Sequence, residues 1–322
     1  MPGGSATSLP YHYDSVSVRL TRRAYPISEW ISLYQNGSST TKIGGQYHVG
    51  SWTVRRHLRR HIPLRDRISA SIIASTKYTK IPFADDQREG AFLAGLIEDF
   101  HVRRAGRLVE LRTSTTHPAM TQLFHDVFSA YGHPTSSPNY EARNGYYRYL
   151  LSVYLHDSFG GVLTKSINIP SWIPRSKDDP IFESYLSGLI AAEGCVRLYD
   201  SHGRADSVLH ITLNKPHLLG ELSHLIGGRL YEVPRAYRLV VYGQAALNLL
   251  RRLNMRHDEK VRKSRLMLAH TGERWAVVEP YWNELVCSIK AGVRGPTAPA
   301  RLDYIAKYGA PHPDEDVGNE RS

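Results

Sequence analysis

The sequence predicts an α+β protein built of two similar halves, preceded by a small all-α unit. Three observations carry that expectation. A short helical pattern, AFLAGLIEDFHV at 91–102, returns as SYLSGLIAAEGCV at 184–196. The block after each copy repeats one succession of helical and alternating segments. The stretch 26–62 sets three short helical patterns side by side, the last of them dense in arginine.

Residues 1–25 read as an arm with a strand-like run, SVSVRLTRRAY. From Pro26 the segment ISEWISLYQNG places Ile27, Trp30, Ile31 and Leu33 near a helical period, and Gly37 stops it. SSTTKIGGQYHV opens with hydroxyl residues able to cap a second helix. In GSWTVRRHLRRHI, Gly50 turns the chain and Ser51 is the candidate cap. Val54, Leu58 and Ile62 recur at i, i+4 and i+8, leaving Arg55, Arg56, Arg59 and Arg60 off the apolar stripe. A short helix, a glycine-containing turn and a basic helix are the layout of a helix-turn-helix, assigned here to 26–80. Its arginines are expected to enter a DNA groove; a solvated arginine surface is the plainer reading. His57 and His61 have the i, i+4 spacing of a zinc pair but no third ligand nearby, so zinc is not expected.

Lys77–Gly90 reads as a linker. The first half, 85–166, runs from the motif helix to the strand-like RLVELRTST. It continues with a helix opening at Thr116 and Pro118, then the strand YYRYLLSVYL. The joint 167–180 holds three prolines in INIPSWIPRSKDDP. The second half, 181–285, repeats the order with SVLHITL, a helix at Asn214 and Pro216, YRLVVYG, and the helix QAALNLLRRL. Residues 286–322 are expected to be a tail, thinning after Pro280 into a polar, disordered end.

Composition narrows the partners. The net charge is +11 over 322 residues, and +9 of it falls in residues 1–80, where 12 Lys+Arg face 3 Asp+Glu. A folded chain with 41% hydrophobic residues and that basic bias points to a polyanion, nucleic acid first. No apolar run reaches membrane-spanning length and the N-terminus lacks a secretory core, so no membrane is expected. Two cysteines, Cys195 and Cys287, exclude a disulfide framework and a Cys-based zinc site. The expected location is cytoplasmic, at the nucleoid. No phosphate-cradling glycine loop and no nucleophile elbow occurs, so neither ATP use nor acyl transfer is indicated.

In both motif helices large residues share one face (Leu93, Leu96, Ile97; Leu186, Leu189, Ile190), and small ones share another around Gly95 and Gly188. Glycine within a helix costs about 1 kcal/mol relative to alanine. Its recurrence argues for two helices in close backbone contact, which sets their acidic C-terminal ends side by side. Neighbouring carboxylates repel each other and attract hard divalent cations, which polarise phosphodiesters and activate water. Two ordinary buried helices with exposed acids are the alternative.

LAGLIEDFH and LSGLIAAEG resemble the signature of the LAGLIDADG homing endonucleases in their single-chain, two-motif form. The resemblance covers about Gln87 to His270. It implies two α+β halves about a pseudo-twofold axis in a monomer, with antiparallel sheets forming a saddle over double-stranded DNA. It also implies Mg²⁺ or Mn²⁺ at the last motif acid of each half, and phosphodiester hydrolysis at long intron- or intein-associated sites. A degenerate relative acting as nickase, DNA-binding regulator or maturase on intron RNA is the alternative.

The second motif matches cleanly: five residues past Gly188 stands Glu193, then Gly194. In the first, that position is Phe100, with Asp99 and Glu98 one and two residues early. One residue turns a helical side chain by about 100°. Asp99 therefore reaches the metal only if the helix end tightens or the helix shifts by one residue. The preferred solution puts Ala94 in place of Gly95 at the crossing; the alternative is a damaged first site. Lys260 is the candidate for stabilising transition-state charge, with Lys165 a weaker counterpart. Arg103, Arg104, Arg107, Arg112, Arg197, Arg204, Arg235 and Arg238, with His210, are expected on the saddle strands. Tyr146, Tyr147, Tyr149 and Tyr237 are read as core before groove.

Overall fold

In the computed structural model, residues 24–36, 38–65, 78–105 and 108–311 are described. The N-terminal arm before residue 24, Arg107 and the end of the tail from residue 312 lie outside them. Backbone contacts divide the chain into Met1–Asp66 and Arg67–Ser322.

The first unit holds α1 (Ile27–Gln35), α2 (Thr40–Gln46) and α3 (Ser51–Leu58). Ser39 caps α2 by accepting from the Lys42 N–H at 3.1 Å. Trp30, Tyr34, Ile43, Val54 and Leu58 form the core. Gly44 must be glycine, since a Cβ there would meet the Val49 carbonyl oxygen at 2.5 Å. Helix α3 ends at Leu58, so Arg59 and Arg60 follow it rather than lie on it. His57 packs against the rings of Tyr25 and Trp30.

The second unit contains the two halves. The first runs α4 (Gln87–Leu96), a 3₁₀ turn (Ile97–Asp99), β1 (His101–Ala105), β2 (Leu108–Thr115), α5 (Pro118–Phe128), β3 (Thr135–Glu141) and β4 (Tyr146–His156). The second runs α6 (Pro180–Glu193), β5 (Gly194–Ser201), β6 (Arg204–Leu213), α7 (Pro216–Ile226), β7 (Arg229–Val233) and β8 (Ala236–Tyr242). Both sheets are antiparallel, four-stranded and identically ordered, β1-β2-β4-β3 and β5-β6-β8-β7. Each packs one face on its helices through its own apolar cluster. The α+β fold with two antiparallel sheets is therefore present as expected.

Helix α4 starts where the Asp86 carboxylate accepts from the N–H groups of Arg88 and Glu89, inside the stretch read as a linker. Helix α6 is capped by Asp179 and opens on Pro180, whose fixed φ suits a first helical position. The two helices meet at backbone contact. A Cβ on Gly95 would stand 2.1 Å from the Tyr185 carbonyl oxygen, and one on Gly188 would stand 2.0 Å from that of Phe92. Gly95 itself, and not Ala94, occupies the crossing, which corrects the shifted register.

The halves differ after their last strands. The second adds α8 (Gly243–Arg252) and α9 (Asp258–His270); the first has only a short 3₁₀ turn, Asp157–Gly160. The expected tail is helical instead: α10 (Trp275–Arg294) continues through Pro280, and α11 (Pro299–Tyr308) follows. Helix α11 returns to the first half. Tyr304 packs on Tyr140 and Tyr147, and the Tyr149 hydroxyl bonds the Asp303 carboxylate. It covers sheet surface that the first half leaves without a long helix of its own.

Candidate active site

The ends of α4 and α6 lead side chains from both halves into one pocket of about 290 Å³, lined in part by Asp99, His117, Glu193, His257, Glu259 and Lys260. Asp99 arrives there because the last turn after Leu96 is 3₁₀, with 3.0 residues per turn in place of 3.6. Over three residues that tightening adds about 60° of rotation, most of what a one-residue offset removes. The Asp99 carbonyl accepts from the Thr113 hydroxyl at 2.9 Å. Phe100, at the position of the missing acid, is buried with Phe124 and Phe128. Glu98 is also spoken for: its carboxylate, 4% exposed, pairs with Lys215 at 2.6 Å.

Burial pushes the Glu193 carboxyl up to about 7, the Asp99 charge adds to this, and Lys260 and Lys165 oppose it. Burial raises Asp99 as well, again against Lys260, Lys165 and His117, although the residue stays exposed to solvent. Two such carboxylates are hard oxygen donors whose repulsion a divalent cation would relieve. The donor set fits Mg²⁺ or Mn²⁺ carried on two protein carboxylates, with water and phosphate oxygens completing the shell. No group of three or more His, Cys, Asp or Glu suited to a metal occurs among the described residues.

Each candidate lysine reaches the carbonyl end of a motif helix. Lys260 donates to the carbonyls of Ile190 and Ala191, both at 2.6 Å. Lys165 donates to that of Glu98 at 2.8 Å. A cation at a helix C-terminus complements the helix dipole. Burial lowers both amines, Lys260 to about 8.

Three ion pairs cross between the halves among the described residues and were not read from the sequence, one of them joining Arg256 to Glu89. His117 Nδ1 meets Glu259 Oε2 at 2.8 Å, and Lys263 holds the other oxygen at 2.6 Å. Burial alone would raise Glu259; these bonds win and hold it near 2. Lys215 makes the second pair, with Glu98. His117 and Lys215 stand at the same place in the repeat, each before the proline that opens a helix, so the signal was present in THPAM and NKPHL. The cap positions are these two residues rather than Thr116 and Asn214. His257 is 3% exposed and burial drives its imidazole down to about 3.

Strand register sorts the saddle residues. Val102 pairs with Leu111 and Arg104 with Val109, so Arg104 shares the helix-packed face and lies against Gly160, not in the groove as expected. Arg103 and Arg112 lie on the open face with Glu110. In the second half Arg197, His210 and Arg238 lie on the open face. Arg204 lies there too but turns at the hairpin to donate to the Gly272 carbonyl. Arg235 is in the two-residue β7–β8 turn at φ 64°, not on a strand. Arg229, which the sequence reading missed, joins the open face beside Tyr231 and Tyr242. Tyr147, Tyr149 and Tyr237 face the core, whereas Tyr146 alternates to the open side. In the first unit Arg55, Arg56, Arg59 and Arg60 border one exposed depression with Trp52.

No family model and no curated protein matches the chain. Among solved structures, it is similar to I-WcaI bound to its DNA recognition sequence, at 12% identity over 61% of this chain and 92% of that one, with a TM-score of 0.39. It is similar to I-SmaMI bound to uncleaved DNA target in the presence of calcium ions, at 10% identity over 63% and 96%, TM-score 0.37. A third is the N-terminal LAGLIDADG domain of WhiA, at 15% over 54% and 87%, TM-score 0.37. Identities this low speak only to fold, and overlap this loose leaves the weight on the geometry itself: repeated sheet order, repeated motif helices, and a glycine-to-glycine crossing. On that geometry the chain is an α+β protein that carries two similarly ordered halves, joined where their motif helices cross on Gly95 and Gly188.

Proposed function

We propose that the protein is a site-specific endonuclease that cuts both strands of DNA, hydrolysing phosphodiester bonds with a divalent cation. The observation that carries this reading is the meeting of Asp99 and Glu193, from different halves, at the ends of helices crossed on Gly95 and Gly188. The two carboxylates would hold the metal, Mg²⁺ or Mn²⁺, which supplies polarisation of a phosphoryl oxygen and an activated water.

The chain's own groups do the rest. Lys260 and Lys165 place positive charge beside the carboxylates, where charge develops on phosphorus-bound oxygens. Arg103, Arg112, Arg197, Arg229 and Arg238 on the open sheet faces hold phosphates or read base edges. The first unit fits a helix-turn-helix reader, with Arg55 and Arg56 on the exposed side of α3 and Arg59 and Arg60 just beyond it. Double-stranded DNA is the partner, and one chain with two halves suffices as a monomer. Among the described residues no helix is long and apolar enough to cross a membrane.

The test is incubation of the purified protein with Mg²⁺ and DNA carrying the uninterrupted host locus. Double-strand breaks at one site, lost with EDTA, support the reading. Binding without cutting points to a regulator, and nicking alone to a nuclease that leaves one strand intact; either outcome overturns the proposed double-strand cleavage.

A further inference from the structure

Glu110 is out of place on a surface that meets a polyanion. It points to the open face of the first sheet, between Arg103 on β1 and Arg112 beside it on β2. It is 1% exposed, while the side chains of Arg103 and Arg112 are 60% and 58% exposed. Its Oε2 lies 3.4 Å from Arg103 Nε, and its Oε1 contacts the Arg112 guanidinium. The Tyr154 hydroxyl, opposite on β4, completes the cluster; its hydrogen bond to Glu110 leads the causes that raise its pKa.

A carboxylate buried under two cations cancels one of them and so weakens attraction for phosphate. Its use must lie elsewhere. Arginine is a rigid planar fork, and its value for recognising guanine O6 and N7 depends on the plane being held. Among the described residues the second half has no such carboxylate at the matching place: Arg197 sits opposite Val208, and Arg238 donates to the Thr212 hydroxyl at 3.2 Å.

Resting on the DNA-binding reading above, we propose that Glu110 is a positioning residue for specificity, fixing Arg103 and Arg112 as a pair of guanine readers. The half-site under the first half is then read more stringently than the other.

The test is selection of the full-length protein against randomised double-stranded DNA in Ca²⁺, followed by sequencing and salt titration. Wild type should enrich guanine at positions whose preference falls about tenfold in R103K and R112K, variants that keep charge and lose the fork. E110Q should flatten those same positions while total affinity at low salt stays equal or rises. Unchanged guanine preference in E110Q, or in both lysine variants, overturns the proposal, as does an affinity loss uniform across sequences. A wild type that binds no DNA sinks the DNA reading together with it; one that binds without guanine preference sinks only the role of Glu110.

Discussion

Glu193 loses its proton near pH 7, a value set first by burial and then by the charge of Asp99. Cation binding therefore competes with a proton. Calorimetry in buffers of different ionisation enthalpy should find about one proton released per Mg²⁺ bound near pH 6.5 and none at pH 9; no release at either pH would place the ion elsewhere. The same shift has a stability sign. The folded carboxyl keeps its proton to about 7 while the unfolded one loses it near 4.5, so the metal-free protein loses stability as pH rises through that window. In EDTA, Glu193→Gln should match wild type at pH 4.5 and exceed it at pH 8 by about 2 kcal/mol, below the full linkage value because the pocket is open to solvent. Lys260→Met should leave DNA binding intact and lower the single-turnover cleavage rate by about 10²-fold, read by gel assay at saturating protein. At this scale the sequence was uneven. Glu193 was legible because glycine, spacing and helix stop agree. Asp99 was legible only as a dilemma, since whether a helix end tightens depends on what it packs against. Glu110 was invisible, because its meaning needs the register that sets it between two arginines.

The motif helices show how an element can be fixed by what it lacks. With Tyr185 and Phe92 carbonyls where side chains would stand, neither glycine tolerates a Cβ unless the helices part. Gly188→Ala should destabilise the protein by about 3 kcal/mol, seen as a lower melting temperature, despite alanine's better helix propensity. An unchanged melting temperature would mean the crossing is looser than described. Helices and central strands were readable because periodicity and helix-opening residues agree, as at Pro118. The outer strands were not read. β3 is polar and carries Pro138, and β7 follows Gly227-Gly228, the kind of composition tolerated at a sheet edge. Helix α10 was lost at Pro280, an interior proline that removes one i to i−4 hydrogen bond yet through which the helix continues.

Across the second unit, the halves share sheet order but not their endings. Where the first half stops at a short 3₁₀ turn, α11 comes from the far end of the chain to cover β3 and β4. No local pattern announces that return, which is why 286–322 reads as a tail. The joint variant Asp303→Ala and Tyr304→Ala should cut amide-exchange protection in β3 and β4 by about tenfold while leaving β5 and β6 unchanged, as expected of a strap serving one half; uniform loss over both sheets would mean that α11 supports the unit as a whole. The pairing of halves is also what the proposed chemistry needs, since each gives one carboxylate and neither alone offers a metal site. The most direct measurement is therefore cleavage of a supercoiled plasmid bearing the selected site, in Mg²⁺, by wild type, Asp99→Asn and Glu193→Gln. Wild type should linearise it, and both variants should bind it without cutting either strand. Linear product from Asp99→Asn at the wild-type rate would contradict the shared centre.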